Sequence, residues 1–267
     1  LAIYHYTDLN GFKGIVESNS LWATNIYFLN DREEFHHGYK CFLNALDYVD
    51  DNYVLDGVKE QVQSMLSHFM KHQGMHIYSI SFCSVADQLS QWRGYGKNQG
   101  ICIEFEEDEL SNVLNYSDYD MENNNVIYTE ENSTIEAKDE INRLICSNGP
   151  GSAEIRNDPF ARGVYLQFLM KKYIPFFKHS GFREEKEYRF VFTASQCVPD
   201  VSFRVSGSGY IPYIILSPVN NAKLPIKKII VGPTDNFEEV NAGIRFLLDY
   251  KGLSNVVIEE SKVPYRT

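Results

Sequence analysis

The spacing of hydrophobic positions along this chain changes period repeatedly, and each change predicts an element. Residues 2–6 alternate and read as a short strand. Leu9, Phe12, Ile15 and Val16 then recur at helical spacing, and Thr7 or Asp8 is placed to cap that helix. Residues 20–25 return as an extended segment. Asn30 and Asp31 ahead of Glu33 and Glu34 form a helix-start signature, with Phe35, Tyr39, Phe42, Leu43 and Leu46 as the inner face. A second helix is expected over 57–72, ended by Gly74. Strands follow at 76–83 and 100–106, a short helix at 108–114 and a short strand at 125–129. Residues 130–146 read as a polar helix and 147–159 as a loop. An aromatic-rich helix is expected over 160–177, interrupted near Pro175. The last third is mostly strand, at 186–193, 201–206, 210–216, 227–232 and 255–260, with one helix at 237–250.

Strands and helices mix without a regular βαβ rhythm, which predicts an α+β fold. The chain shows no internal repeat, low-complexity tract or linker. The expectation is a single domain over 1–267 with helical insertions at about 31–74 and 130–180.

Composition narrows the class. The 267 residues are 43% hydrophobic, enough for a sizeable core, and 14% aromatic. A net charge of -11 argues against holding nucleic acid by bulk electrostatics. The five cysteines lie far apart with no C-x-x-C, which fits reduced thiols and a cytoplasmic location. No apolar run approaches the ~20 residues of a membrane span. No basic segment followed by an apolar one opens the chain.

Three segments can carry chemistry. In GFREEKEYRFVFT, period-two spacing puts Tyr188, Phe190 and Phe192 on one side of a strand and Glu185, Glu187 and Arg189 on the other. Carboxylates opposite a buried face are placed to line a cleft; the alternative is a solvated ion-pair face. His5 ends the first strand beside a helix start, where one ring nitrogen can reach a ligand hydroxyl, or where a histidine is simply satisfied by the core. LSQWRGYG follows a strand on which Ser79 and Ser81 share a face. Its Trp92 and Tyr95 supply flat surfaces, Arg93 a fork donor for phosphate, and Gly94 and Gly96 room for close backbone approach. That composition suits a nucleotide, although neither usual phosphate-loop pattern occurs; the alternative is a tight turn with an aromatic anchor. His68 and His72 have metal-ligand spacing on a helix but no evident third ligand.

YHYTDLNGFKGIVESNSLWATNIYFLND, ISFCS, LSQWRGYG, ICIEF, GFREEKEYRFVF, KKIIVGPT and VPYR, in this order, resemble the bacterial family catalogued as domain of unknown function 2971. The resemblance runs from Tyr4 to Arg266. The same order of blocks is more distantly similar to ADP-ribosyltransferases of the diphtheria-toxin and poly(ADP-ribose) polymerase type. That branch carries a His at the end of its first strand, matched by His5. It has a strand leading into a serine- and aromatic-bearing segment, matched by residues 79–82 and 90–95. A Glu opens its aromatic strand, matched by Glu187. Two departures stand out. Trp92 and Tyr95 compete for the stacking position. The pairs Glu185/Glu187 and Ser79/Ser81 also resemble the Arg-Ser-Glu branch, which has an Arg where His5 stands.

The resemblance implies an ADP-ribosyltransferase-like split mixed β-sheet with NAD as substrate and no metal. It implies that His5, with Tyr6 and Thr7, holds a ribose. Ser81 and Ser90 lie in the binding segments, Trp92 or Tyr95 stacks on nicotinamide, and Arg93 meets phosphate. Glu187 stabilises the cationic ribose, and Glu185 orients an acceptor macromolecule of unknown kind. The rival readings are a nucleotide-sensing or partner-binding module without turnover, an NAD glycohydrolase, and a metal-dependent nuclease using Glu185 and Glu187.

Overall fold

The computed structural model describes residues 1–29, 33–46, 60–61, 63–64, 76–96, 99–130, 158–194, 200–207 and 209–264. The expected helices at 57–72 and 130–146, the 147–159 loop, and His68 and His72 lie wholly or largely outside these.

The fold is α+β, built on a mostly antiparallel ten-stranded sheet. Strand β1 (Ala2–Asp8) leads into helix α1 (Leu9–Ser18) and back to β2 (Leu21–Asn25). Asp8, one of the two expected caps, accepts from the Gly11 N–H at 2.8 Å, and Phe12 and Val16 are the buried face. Helix α2 (Glu34–Leu46) precedes β3 (Ile77–Cys83). The LSQWRGYG segment, read from sequence as suited to a nucleotide or as a tight turn, is a short helix, α3 (Leu89–Tyr95), because Trp92 and Gly96 donate to carbonyls four residues back.

Strand β4 (Gly100–Glu106), α4 (Glu107–Val113), β5 (Tyr119–Asn125) and β6 (Ile127–Thr129) follow. β5 escapes prediction because Asp120, Asn123, Asn124 and Asn125 have low strand propensity; it forms by pairing with β8 (Glu187–Ala194), a largely buried neighbour. Helix α5 (Pro159–Tyr173) breaks at Pro175 as expected, giving a 3-10 turn (Ile174–Phe176) and then a short strand, β7 (Phe177–His179), that pairs with β6. The rest is β8 (Glu187–Ala194), β9 (Ser202–Ser206), β10 (Gly209–Leu216), β11 (Ile226–Val231), α6 (Phe237–Tyr250) and β12 (Val257–Glu260).

One face of the sheet carries the main core. Ile3, Ile80, Phe82, Ile103, Phe190, Phe192 and Ile229 meet Phe12 and Val16 of α1, Leu110 of α4, and Ile244 and Leu248 of α6. On the other face Tyr6, Cys83, Cys102 and Ile230 pack around Trp92 of α3.

The path of β3 positions the site. β8 pairs with one of its edges along the whole length, from Ile77 opposite Thr193 to Cys83 opposite Glu187. A strand has only two edges, so β1 and β2 share the other. β1 meets it at Cys83 opposite Tyr4, and β2 at Ser79 opposite Thr24 and Tyr78 opposite Asn25. Between these points the two strands part. β1 leads away through β4, β11 and β12, and β2 through β10 and β9. The sheet is split at Ile80–Phe82, and a cleft opens there.

Candidate functional site

The cleft has a volume of about 850 Å³. Of the side chains singled out from sequence, His5, Tyr6, Thr7, Ser81, Tyr95, Glu185 and Glu187 line it, whereas Ser90, Trp92 and Arg93 do not.

His5 lies in register with Ile103, on the core face, at the point where β1 leaves β3. Its ring meets Phe82 edge-on, and Nδ1 lies 3.1 Å from the Ser81 carbonyl. Burial lowers the imidazole pKa, and the Ser81 bond only partly offsets that. A neutral ring whose Nδ1–H donates to a carbonyl presents Nε2 as an acceptor. Thr7 approaches α1 closely because residue 11 is glycine: a Cβ there would lie 1.9 Å from the Thr7 hydroxyl. The Tyr6 phenol is held by the Gln88 N–H and the Val85 carbonyl.

Trp92 has another task. It is 3% exposed, its ring packs edge-on against Tyr6 and sits over Gly100 and Gly232, and its Nε1–H donates to Asp87 at 2.8 Å. Stacking on a ligand in the cleft is therefore open to Tyr95, 39% exposed, and not to Trp92. Arg93 is exposed outside the cleft wall.

The strand expected at 186–193 runs one residue later, at 187–194, and Glu185 does not share it with Glu187 and Arg189. β8 begins at Glu187; Glu185 closes a 3-10 helix (Ser180–Glu185), and Lys186 between them adopts a left-handed conformation, φ 44. Glu185 reaches the same cleft from outside the strand. Its carbonyl accepts from the Cys83 thiol and the Gln91 amide, and its Oε2 lies 2.6 Å from Lys178 Nζ.

Beneath it is a buried ionic cluster. Arg189, 1% exposed, grips Glu187 with two parallel bonds, Nε to Oε1 at 2.7 Å and Nη2 to Oε2 at 2.8 Å. Lys178 Nζ adds a third bond to Glu187 at 3.0 Å. Glu34 of α2 pairs with both Arg189 and Lys178. Burial pushes the Glu187 carboxyl pKa up, but Arg189 and Lys178 outweigh that and hold it below the usual carboxylate range. Burial opposes the Lys178 and Arg189 charges too, and the carboxylates raise both above their ordinary values. Three carboxylates face two cations, so the cluster carries surplus negative charge. Glu185, with a quarter of its side chain exposed, is its open member. Glu187, buried and bonded three times, has both of its oxygens engaged.

Lys178 and Glu34 were not read from sequence as site residues. Lys178 left one signal, a cation directly after the apolar run Ile174 to Phe177; Glu34 was read as part of a helix start. Ser79, on the cleft floor and 3% exposed, has a hydroxyl without a hydrogen-bond partner. Among the described residues no group of three or more His, Cys, Asp or Glu is arranged to hold a metal ion, and no helix is long and apolar enough to cross a membrane.

Fold and site thus define an α+β protein with a ligand-sized cleft at a split in its sheet, a neutral histidine on one wall and a buried ionic cluster on another. Residues 91–190 match the family described as Protein of unknown function (DUF2971). The matched span includes Tyr95, Lys178, Glu185, Glu187 and Arg189, while His5 lies outside it. No curated protein and no solved structure matches the chain.

Proposed function

We propose that this cleft binds NAD and that the protein is an ADP-ribosyltransferase, breaking the bond between nicotinamide and ribose and passing ADP-ribose to an acceptor. The observation that carries the reading is the surplus negative charge of Glu34, Glu185 and Glu187 over Lys178 and Arg189, placed at a split in the sheet across from His5. As the C–N bond breaks, its electron pair leaves with nicotinamide and positive charge develops on the ribose. A fixed excess of carboxylate in a water-poor site stabilises that charge without reorganising.

Each side chain has a place in this scheme. His5 accepts a ribose hydroxyl at Nε2. Tyr95 stacks on the departing ring. Glu187 is buried with both oxygens engaged, so the direct contact with the ribose falls to the more exposed Glu185, and Glu187 becomes the anion that holds Lys178 and Arg189 beneath it. An acceptor nucleophile then bonds to the ribose carbon, and Glu185 takes the proton it releases.

The test is nicotinamide release from NAD by the purified chain. Release is expected, and Glu185→Gln is expected to abolish it with folding intact. Full release by that variant removes the assignment of Glu185. Free ADP-ribose as the product identifies a glycohydrolase, and ADP-ribose attached to a macromolecule a transferase. The engagement of both Glu187 oxygens by Arg189 and Lys178 favours one rival, a nucleotide-binding module without turnover, which predicts saturable NAD binding and no release.

A further inference from the structure

At the other end of the cleft, the structure assigns an anion subsite to Ser79, Thr24 and Arg204, suited to the phosphate groups of a nucleotide. Ser79 and Thr24 are direct partners across β3 and β2, so their side chains share a face. Arg204, on β9, reaches over β10 and donates from Nη2 to the Thr24 hydroxyl at 3.5 Å. Thr24 keeps its own proton to donate. No carboxylate among the described residues pairs with Arg204, and the Ser79 hydroxyl is buried without a partner. All three line the cleft.

A buried hydroxyl without a partner costs free energy, and its natural complement is a ligand acceptor. Two hydroxyls and an unneutralised guanidinium turned to one space are donors awaiting an anion. Arg204 thus offers at the β2 side of the cleft what was expected from Arg93.

The cleft is polarised as a result. Cys83, beside the Glu185 carbonyl, is four residues along β3 from Ser79, roughly 13 Å at the rise of a strand. A ligand lying along β3 meets surplus carboxylate at one end and hydrogen-bond donors at the other. This inference rests on the nucleotide reading of the cleft and concerns binding only, so it stands or fails independently of turnover.

The experiment is calorimetric titration of the full chain with ADP, with inorganic pyrophosphate and with adenosine. ADP and pyrophosphate are expected to bind, and adenosine at least about tenfold more weakly than ADP. Arg204→Ala and Ser79→Ala are each expected to weaken ADP about tenfold. Ser79→Ala should also leave the free protein as stable as the parent or more so, because the unpaired hydroxyl is gone; a merely structural role would lower its Tm. Adenosine binding as tightly as ADP, no binding of ADP or pyrophosphate at millimolar concentration, or unaltered ADP affinity in both alanine variants would overturn the subsite. Loss of nicotinamide release with ADP binding retained would count against the proposed reaction and leave the subsite standing.

Discussion

Arg189 clamps Glu187 two residues before it on the same strand, with parallel bonds of 2.7 and 2.8 Å and both side chains buried. The pair turns a period-two pattern into a fixed point in the core. Removing Arg189 leaves Glu34, Glu185 and Glu187 with Lys178 as their one cation in the cluster, a buried charge imbalance that costs about 3–5 kcal/mol. Arg189→Ala is therefore expected to lose about that much in urea denaturation. Glu185→Gln, which exposes no unpaired buried charge, is expected to change stability by less than about 1 kcal/mol. Equal losses in the two variants would contradict this division between clamp and open carboxylate.

The same two carboxylates separate in catalysis. Under the proposed reaction, Glu185→Gln lowers nicotinamide release by at least about 10²-fold, the usual scale for losing one electrostatic stabiliser of a transition state. Release and thermal unfolding measured on one sample check this, because Glu187→Gln is expected to lower both and Glu185→Gln only the first.

Aromatic roles divide in the same way. Trp92 fills the space between Tyr6, Gly100 and Gly232, so Trp92→Ala is expected to cost about 3–5 kcal/mol of stability. Tyr95→Ala is expected to leave stability nearly unchanged and weaken NAD binding by about 1–3 kcal/mol, the value of one base–aromatic stack. Calorimetric titration beside chemical denaturation distinguishes the two.

Acid acts on the cleft through Glu187 and His5. The folded Glu187 carboxyl has a lowered pKa, so its stabilisation is complete above the usual carboxylate value, near 4.5, and is lost as pH falls below that toward the folded value. His5 also has a lowered folded pKa, so the unfolded chain takes up its proton first. Its part of the stability is present above about pH 6.5 and declines as pH falls below it. Protonated His5 can no longer accept at Nε2, so affinity for NAD is expected to fall once pH drops to the lowered pKa of the folded imidazole, below the ordinary histidine value. Replacing His5 with Gln should flatten that acid limb of the binding profile.

Much of the fold was legible because its signals are local. Strand β4 and helix α6 fall where alternation and helical spacing put them, and Asp8 caps α1 as its position predicts. LSQWRGYG was read as a nucleotide-suited segment or, alternatively, a tight turn with an aromatic anchor; backbone bonding makes it a helix, and Trp92 is an anchor buried in it. The polar strand β5 was invisible because nothing in its own residues favours extension.

The chain by itself determined which segments carry polar groups beside buried strands. His5, Ser79, Ser81, Glu185 and Glu187 are all visible as chemistry out of place in apolar surroundings. Only the tertiary structure decided what they do together. Strand periodicity gives the face of a side chain but not which neighbour leaves the sheet, and the cleft exists because β1 and β2 part along one edge of β3. Nor does periodicity reveal that Lys178 and Glu34, distant in sequence, surround Glu187. Charge pairing in a low-dielectric interior depends on distances of a few ångströms across the fold, and those distances settle which carboxylate is clamped and which is left open to the cleft.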